Sequence, residues 1–305
     1  MKKIRTILIG TPEFAVRIFK KLKEVGLPSV EIVGVVTVED KPVGRKQELT
    51  PSPIKKWALG VKLPILQLGK INADLIIAAA YGQIIPKEIL VLPKFGALNI
   101  HPSLLPKYRG ASPIQTAILN GDKETGITII LMDEKMDHGD IVASSKFKVQ
   151  SSKITYNELS EKLADLGADL LIKTLPNWIE GKIKPRPQDH SKATFTKIIK
   201  KEDGKINWNK SAEEIERMIR ALDPWPGIFT FWNNKQLKIL QANCTSLNDV
   251  HKKVGEVFLT NDKKLAIKTG NGILILKQVQ LEGKRMMPAK DFLNGHPGIV
   301  GAILK

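Results

Sequence analysis

The chain has 305 residues, of which 42% are hydrophobic and 26% charged, a length and composition typical of an ordinary soluble protein with room for two domains. Its 48 lysines and arginines against 31 acidic residues give a net charge of +17, which favours polyanionic partners such as RNA or an anionic membrane surface. A lysine-rich proteome would produce the same excess. The single cysteine, Cys244, excludes a disulfide framework or a thiolate metal cage within the chain.

The amino-terminal residues carry the positive charges of a signal peptide but not its apolar core. The apolar run there ends at Gly10-Thr11-Pro12, and no apolar run in the chain reaches membrane-spanning length. We therefore expect a cytoplasmic protein with no membrane partner.

The first forty residues predict a strand, a helix and a second strand. Residues 4–9 form a short apolar run, and residues 30–38 are again apolar. Between them, Thr11 is placed to cap a helix that has Pro12 at its first position, and Gly26 is placed to end that helix. This order predicts a parallel α/β sheet. The turn at Gly10 lacks the second and third glycines of a dinucleotide-binding fingerprint, so NAD binding is not expected.

Residues 53–60 predict a short helix after Ser52, and residues 63–68 and 74–80 predict two further strands. Only residues 69–73 would then connect those strands, whereas a parallel crossover usually needs a dozen residues or more. Either that crossover is a bare loop or the predicted strand limits are wrong.

The residues best suited to chemistry follow two apolar runs. Asn99 and His101 lie two positions apart after the run that begins at Gly96, so on a strand their side chains share a face. A second run, residues 127–132, leads to an acidic turn containing Asp137. If the two strands are neighbours, a carboxylate meets an imidazole and an amide, a set that suits chemistry at a carbonyl.

Each of these residues also has a simpler interpretation. His101 precedes a proline and is compatible with a hydrogen-bonded strand end, Asn99 with a turn, and Asp137 with a solvated acidic surface. His138 lies beside these acids, but no second histidine stands at ligand spacing, so no metal site is expected. No serine or cysteine occupies a nucleophile elbow, which argues against a covalent intermediate.

Several stretches in fixed order carry a family resemblance. They are Gly10-Thr11-Pro12-Glu13-Phe14, Lys41-Pro42-Val43-Gly44-Arg45, Pro51-Ser52-Pro53, Ala80-Tyr81-Gly82, Asn99-Ile100-His101-Pro102-Ser103-Leu104-Leu105-Pro106, Arg109-Gly110-Ala111-Ser112-Pro113-Ile114-Gln115, Met136-Asp137-His138-Gly139-Asp140 and Asp223-Pro224-Trp225-Pro226. Together they resemble the methionyl-tRNA formyltransferase family. The resemblance implies a Rossmann-like parallel-sheet domain followed by a smaller, OB-like β-barrel domain.

The resemblance also implies the reaction and its central residues. The amino group of methionyl initiator tRNA would attack the formyl group of 10-formyltetrahydrofolate directly, through a tetrahedral intermediate and without a metal. Asn99 and protonated His101 would stabilise the developing oxyanion. Asp137 would keep His101 charged and relay the proton of the amine.

The resemblance also implies contacts with folate and methionine, and we expect the chain to act as a monomer. Folate would contact Ser103, Leu104, Leu105, Pro106, Tyr81 and Gly82. Phe14 would line the pocket for methionine and the acceptor end. The residues expected to contact tRNA are Lys41, Arg45 and Lys46 in a basic loop, and Lys184, Arg186 and Lys192 further along the chain.

The second half of the chain predicts a separate module. We place a catalytic domain at residues 1–181, a basic linker at 182–204, and an OB-like tRNA-binding domain at 205–305. In the last of these, a helix capped by Ser211-x-x-Glu214 precedes five short β-like runs. Residues 181–305 hold 23 basic and 12 acidic residues, a larger excess than in the longer first part. Such asymmetry is typical of a nucleic-acid-binding module.

Three other functions use parts of the same pattern. A formyltransferase for a small amine would need Asn99, His101 and Asp137 but not a basic second domain. A 10-formyltetrahydrofolate hydrolase would replace the amine with water. An RNA-binding protein on an inactive scaffold would not need the three residues intact.

Overall fold

The computed structural model describes residues 3–43, 47–246 and 251–305. The chain folds as two compact units. Unit 1 consists of Met1–Pro113, Lys123–Gln150 and Glu158–Lys197, and unit 2 consists of Ile114–Asp122, Ser151–Asn157 and Ile198–Lys305. The basic segment 182–204, predicted as a linker, is therefore divided between them. The domain limits predicted from the sequence remain a prediction.

The described chain contains sixteen strands and seven α-helices. The strands are β1 Ile4–Gly10, β2 Val30–Val36, β3 Lys41–Val43, β4 Glu48–Thr50, β5 Leu75–Ala79, β6 Ala97–His101, β7 Arg109–Gly110, β8 Glu124–Leu131, β9 Ile141–Lys148, β10 Phe195–Thr196, β11 Ile228–Trp232, β12 Lys235–Thr245, β13 Val257–Leu259, β14 Leu265–Lys268, β15 Ile273–Leu281 and β16 Met287–Pro288. The helices are α1 Glu13–Val25, α2 Pro53–Gly60, α3 Lys87–Leu90, α4 Pro113–Asn120, α5 Tyr156–Ile179, α6 Ala212–Leu222 and α7 Ala289–Gly295.

Unit 1 is built on a six-stranded sheet with the order β2-β1-β5-β6-β8-β9. The strands β2, β1, β5 and β6 pair in parallel, while β8 and β9 are antiparallel additions. The centre of the sheet is fully buried, as Ile7, Leu8 and Ile9 of β1 show. This arrangement confirms the predicted parallel α/β domain. It also places the carboxyl ends of β1, β5 and β6 at one edge, where such sheets bind their ligands.

Helix α1 packs on this sheet, as its apolar spacing predicts, and ends at Gly26 in the left-handed conformation with φ of 63°. The predicted capping role of Thr11 is wrong. Pro12 stands at the cap position, and the Thr11 hydroxyl instead donates a 2.7 Å hydrogen bond to the carbonyl of Tyr81. The Thr11 hydroxyl, just after β1, thus restrains the turn that follows the neighbouring strand β5.

The connection from β2 to β5 corrects a second prediction. Residues 63–68 do not form a strand. Only Ile65 makes a bridge, to Val35, next to two backbone hydrogen bonds of 2.8 and 2.9 Å that join Val35 to Leu66 and Pro64. The crossover helix is α2, which lies between β2 and β5 in the chain. The short gap at 69–73 was therefore a product of the wrong strand assignment.

Strands β6 and β8 are antiparallel neighbours, which confirms the pairing on which the predicted site depends. Asn99 lies opposite Ile130, and His101 lies opposite Thr128. The acidic turn that follows β8 therefore lies beside the strand that carries Asn99.

Unit 2 contains a curled antiparallel sheet with the order β11-β12-β15-β14-β13, and β16 pairs with β15. The five predicted β-like runs correspond to β11 through β15, so the smaller β domain is confirmed as a half-barrel. Leu237, Leu274 and Val279 are among its fully buried side chains. Within the part of the chain that the structure describes, no helix has the length and apolar character needed to cross a membrane.

Helix α6 begins with the predicted capping box. The Ser211 hydroxyl accepts a hydrogen bond from the Glu214 amide, and the Glu214 carboxylate accepts one of 2.9 Å from the Ser211 amide. The Ser211 hydroxyl also donates a 2.8 Å hydrogen bond to the Glu214 carboxylate, and the bonds from the Ser211 amide and hydroxyl to that carboxylate lower the pKa of Glu214 to about 2. Ionised Glu214 is thus favoured in the folded state.

We expect Glu214→Gln to lower the stability of the chain by about 1 kcal/mol at neutral pH, because one half of the capping box loses its charge. The folded-state pKa lies below the ordinary value. The contribution of Glu214 is therefore fully present above about pH 4.5 and is lost as pH falls towards 2. Urea unfolding at several pH values measures it. Glu213→Gln removes an equal charge from the same turn without touching the box, and an equal loss in both variants would contradict the assignment.

Candidate active site

The side chains of Asn99 and His101 approach the same carboxylate oxygen of Asp137. Asn99 Nδ2 lies 3.4 Å from Asp137 Oδ1, and His101 Nδ1 lies 3.5 Å from the same atom. The side chain of His101 is 5% exposed and that of Asp137 is 12% exposed. The structure therefore assembles the three residues that the sequence singled out, in a site largely shielded from water.

The protonation of the His101 ring follows from its second contact. His101 Nε2 lies 2.9 Å from the carbonyl oxygen of Tyr108. A carbonyl only accepts hydrogen bonds, so Nε2 carries a proton. Nδ1, the ring nitrogen that faces Asp137, can then act as a donor only in the doubly protonated ring.

Asp137 is held on its other side by backbone. Its Oδ2 accepts a 2.7 Å hydrogen bond from the amide of Gly110. Asp137 itself has a φ of 50°, a left-handed conformation that non-glycine residues seldom adopt. A side chain on Gly139 would overlap the carbonyl of Leu131, so the turn after β8 also requires close backbone approach.

The segment after His101 is tied to the sheet by Thr128. The buried Thr128 hydroxyl donates to the Ser103 carbonyl at 2.7 Å and accepts from the Leu105 amide at 3.0 Å. The Ser103 hydroxyl donates to the Lys107 carbonyl at 2.6 Å, and the bond between Leu105 and Pro106 is cis. These contacts give residues 103–106 a fixed backbone path.

The turn after β5 lies at the same edge of the sheet. Gly82 has a φ of 81°, and Tyr81 is buried, which raises the pKa of its hydroxyl. The bond from Thr11 to the Tyr81 carbonyl joins this turn to the end of β1. The folate candidates Tyr81 and Gly82 therefore emerge on the edge where His101 ends β6.

Known proteins similar to this chain are formyltransferases. Residues 2–175 match the family described as formyl transferase, and residues 198–297 match the formyl transferase C-terminal domain. The methionyl-tRNA formyltransferase of Caldicellulosiruptor saccharolyticus is 44% identical over 98% of this chain and 99% of its own length. The enzyme of the same name from Staphylococcus aureus is 40% identical over 95% of this chain and 96% of its own length.

The chain belongs to the methionyl-tRNA formyltransferase family.

Solved structures at lower identity share the fold. HypX from Aquifex aeolicus, in complex with tetrahydrofolic acid, has a TM-score of 0.67 at 20% identity and covers 99% of this chain, which spans 49% of the HypX chain. The sugar 3N-formyl transferase WlaRD has a TM-score of 0.65 at 24% identity and covers 93% of this chain and 100% of its own. At these identities the likeness concerns the fold alone.

The basic candidates for tRNA contact lie on the surface where the structure describes them. The prediction of a loop at Lys41 is wrong, because Lys41 is exposed on strand β3, which pairs with β4. Lys184, Arg186 and Lys192 are exposed in the segment that follows α5. Arg45 and Lys46 lie outside the described residues. Phe14 is buried, with 6% exposure, at the start of α1. A role for any of them in binding remains a prediction.

Two side chains that hydrogen-bond to segments of the site were not predicted from the sequence. Thr128 lies inside the apolar run of residues 127–132, where a threonine looks like an ordinary β-former. Gln188 lies in the segment predicted as a linker, yet it is buried and hydrogen-bonded to the turn of Asp137. No group of three or more histidine, cysteine or acidic side chains in the described residues could hold a metal ion.

We expect Thr128→Val to destabilise the segment 103–106, because the variant leaves a buried carbonyl and a buried amide without partners, at a cost of about 1 to 3 kcal/mol. Hydrogen exchange at the Leu105 amide should accelerate, and urea unfolding should report the loss. Thr128→Ser keeps the hydroxyl and should restore protection. Unchanged exchange at Leu105 in the valine variant would show that the hydroxyl does not hold this segment.

Proposed function

We propose that this protein transfers the formyl group of 10-formyltetrahydrofolate to the free amino group of methionyl initiator tRNA, in translation initiation. The observation that carries the proposal is the meeting of Asn99 Nδ2 and His101 Nδ1 at one oxygen of Asp137. An amide donor, an imidazole and a carboxylate are the groups that acyl transfer between an amide-like donor and an amine requires. Family membership supplies the substrates.

The first step is attack by the amine nitrogen on the formyl carbon. A carbon–nitrogen bond forms, and the electron pair of the carbonyl moves to the formyl oxygen. Asn99 Nδ2 and the Nδ1 proton of His101 stabilise this oxyanion. One such donor typically lowers the activation barrier by about 3 kcal/mol.

The second step moves one proton. The attacking nitrogen becomes cationic and releases a proton to the Asp137 carboxylate, directly or through water. When the intermediate collapses, the bond from carbon to folate N10 breaks, and the proton passes to N10. The products are the formylated methionyl-tRNA and tetrahydrofolate, and no covalent enzyme intermediate is required.

The folate occupies the edge formed by residues 103–106 and the turn of Tyr81 and Gly82. The Thr128 hydroxyl fixes the first of these segments, and Thr11 fixes the second. Two segments held from the sheet give a site with little freedom to lose on binding.

The tRNA contacts are electrostatic in origin. Lys184, Arg186 and Lys192 are exposed and belong to a segment with a basic excess. Lys41, exposed on β3, and the nearby Arg45 and Lys46 would contact the acceptor end of the tRNA. Phe14 contributes to the site for methionine. We propose that the protein acts in the cytoplasm, where its tRNA substrate is charged, and as a monomer.

Asp137→Asn should lower kcat by about 100-fold or more and leave KM for both substrates nearly unchanged, because the shape is kept while the negative charge beside His101 and the acceptor for the amine proton are lost. Steady-state kinetics with charged initiator tRNA measures this. Glu134→Gln removes an exposed carboxylate from the same turn and should retain normal turnover. Wild-type turnover in Asp137→Asn would remove Asp137 from the mechanism.

The same assay separates formyl transfer from hydrolysis. The wild-type chain is incubated with 10-formyltetrahydrofolate and either charged initiator tRNA or buffer alone. Formyl label on the tRNA supports the proposal. Rapid release of formate in buffer alone would support a hydrolase, and label on a small amine in preference to tRNA would support a different acceptor.

The triple variant Lys184→Gln, Arg186→Gln, Lys192→Gln should bind tRNA less tightly and with a weaker salt dependence. Each lost phosphate contact lowers the slope of log affinity against log salt by about 0.7 to 0.9. Affinity for the folate should not change. The matched control carries Lys20→Gln, Lys23→Gln and Lys56→Gln, which remove the same charge from exposed positions on α1 and α2. Equal slopes in the two variants would mean that only net charge matters.

A further inference from the structure

Gln188 makes an unusual set of contacts for a residue in a basic, proline-containing segment. It is 5% exposed. Its Nε2 donates to the carbonyl of Asp137 at 2.9 Å and to that of Gly139 at 2.7 Å. Its Oε1 accepts from Arg109 Nε at 3.2 Å and from Arg109 Nη2 at 2.7 Å. The amide nitrogen thus donates to two carbonyls of the turn, and the amide oxygen accepts two bonds from the arginine.

Arg109 determines which way the amide faces. A guanidinium has only donors, so the oxygen of Gln188 must point to it and the nitrogen must point to the two carbonyls. Arg109 is itself buried and donates from Nη2 to His190 Nδ1 at 2.8 Å. The His190 ring stacks on His138, with centroids 4.0 Å apart. Partial desolvation, followed by the nearby His138 and Arg109, lowers the pKa of His190 and so favours the neutral, accepting ring.

The short strand β7 connects both supports of Asp137. Its first residue, Arg109, orients the glutamine that holds the Asp137 backbone. Its second residue, Gly110, donates the 2.7 Å amide bond to the Asp137 carboxylate. β7 is in turn paired with β10, through Phe195 and Thr196. Backbone and side chain of the same aspartate are thus fixed from a single rigid element.

The Asp137 backbone needs such support. Asp137 has a φ of 50°, and a left-handed conformation at a non-glycine residue persists only where its surroundings impose it. The two carbonyls that Gln188 binds, those of Asp137 and Gly139, lie within the turn itself, on either side of His138. Relaxation of the turn would move Oδ1 away from Asn99 and His101, and a displacement of about 1 Å can reduce a rate by two orders of magnitude.

We infer that Gln188, oriented by Arg109, is a positioning residue for Asp137, which sets the carboxylate of the formyl-transfer site without contacting substrate. The inference rests on the proposed function, because it is a statement about how Asp137 is made effective in that reaction. It assigns a role in the chemistry to a residue outside the segments that carry the family resemblance.

Gln188→Met keeps the length of the side chain and removes both its donors and its acceptor. We expect kcat to fall roughly 10- to 100-fold, with KM for the folate and for tRNA within about twofold of wild type. Thr174→Val is the matched control, since Thr174 is a buried residue of unit 1 whose hydroxyl donates to the Leu170 carbonyl. That variant should lose stability without losing kcat.

A double-mutant cycle with Asp137→Asn separates positioning from general damage. If Gln188 acts through the Asp137 carboxylate, Gln188→Met should reduce the kcat of Asp137→Asn by less than about threefold. A further 10- to 100-fold loss in that background would show that Gln188 acts independently of Asp137 and would overturn the inference. Wild-type kcat in Gln188→Met would overturn it as well.

Gln188→Glu is the second variant, for use if the methionine variant does not fold. It keeps an acceptor for Arg109 and loses the two amide donors, so kcat should again fall with KM unchanged, and full activity would overturn the inference. The proposed function is tested separately by the wild-type chain. If wild type does not formylate charged tRNA, the function is wrong. If it does and the Gln188 variants match it, only the positioning role is wrong.

Discussion

The antiparallel pairing of β6 with β8 is the contact on which the site depends. A parallel sheet alone would bring the ends of β1, β5 and β6 to one edge, each followed by a loop. Because β8 runs in the opposite direction, the turn that follows it lies at the start of β6 and not at its end, and Asn99 lies across from Ile130 near that turn. The acidic turn must then fold back towards His101. The left-handed Asp137 and the close packing at Gly139 are the means by which it does so.

Because the acidic turn folds back into a buried position, the charge of Asp137 interacts with His101 away from water. His101 and Asp137 are both largely withdrawn from water, where a lone charge is expensive and a paired one interacts strongly. The Tyr108 carbonyl accepts a hydrogen bond from Nε2 of His101, so Nδ1 is the ring nitrogen that faces the carboxylate. The pairing of strands thus determines an electrostatic property of the site and not only its shape.

The sequence predicted the central sheet and the three converging residues because each is encoded locally. Asn99 and His101 are two apart on a strand, and the apolar run before Asp137 indicates a second strand. The supports of Asp137 could not be found in this way. Gln188 lies 51 residues from Asp137, in a segment whose prolines and lysines are typical of a linker, and only its burial shows otherwise. Thr11 was misassigned for a related reason, since a hydroxyl before a proline suggests a helix cap and its real partner lies 70 residues away.

The contact distances divide the site into a closely held support behind Asp137 and a looser front. The contacts behind Asp137, from Gly110 and Gln188, range from 2.7 to 2.9 Å. Those in front of it, to Asn99 and His101, are 3.4 and 3.5 Å, longer than a strong charge-assisted bond. The two donors therefore give up little when they turn from Oδ1 to an oxygen that becomes negative during the reaction. A site with short bonds in front would hold its donors on the enzyme's own carboxylate, and the oxyanion would have to compete for them.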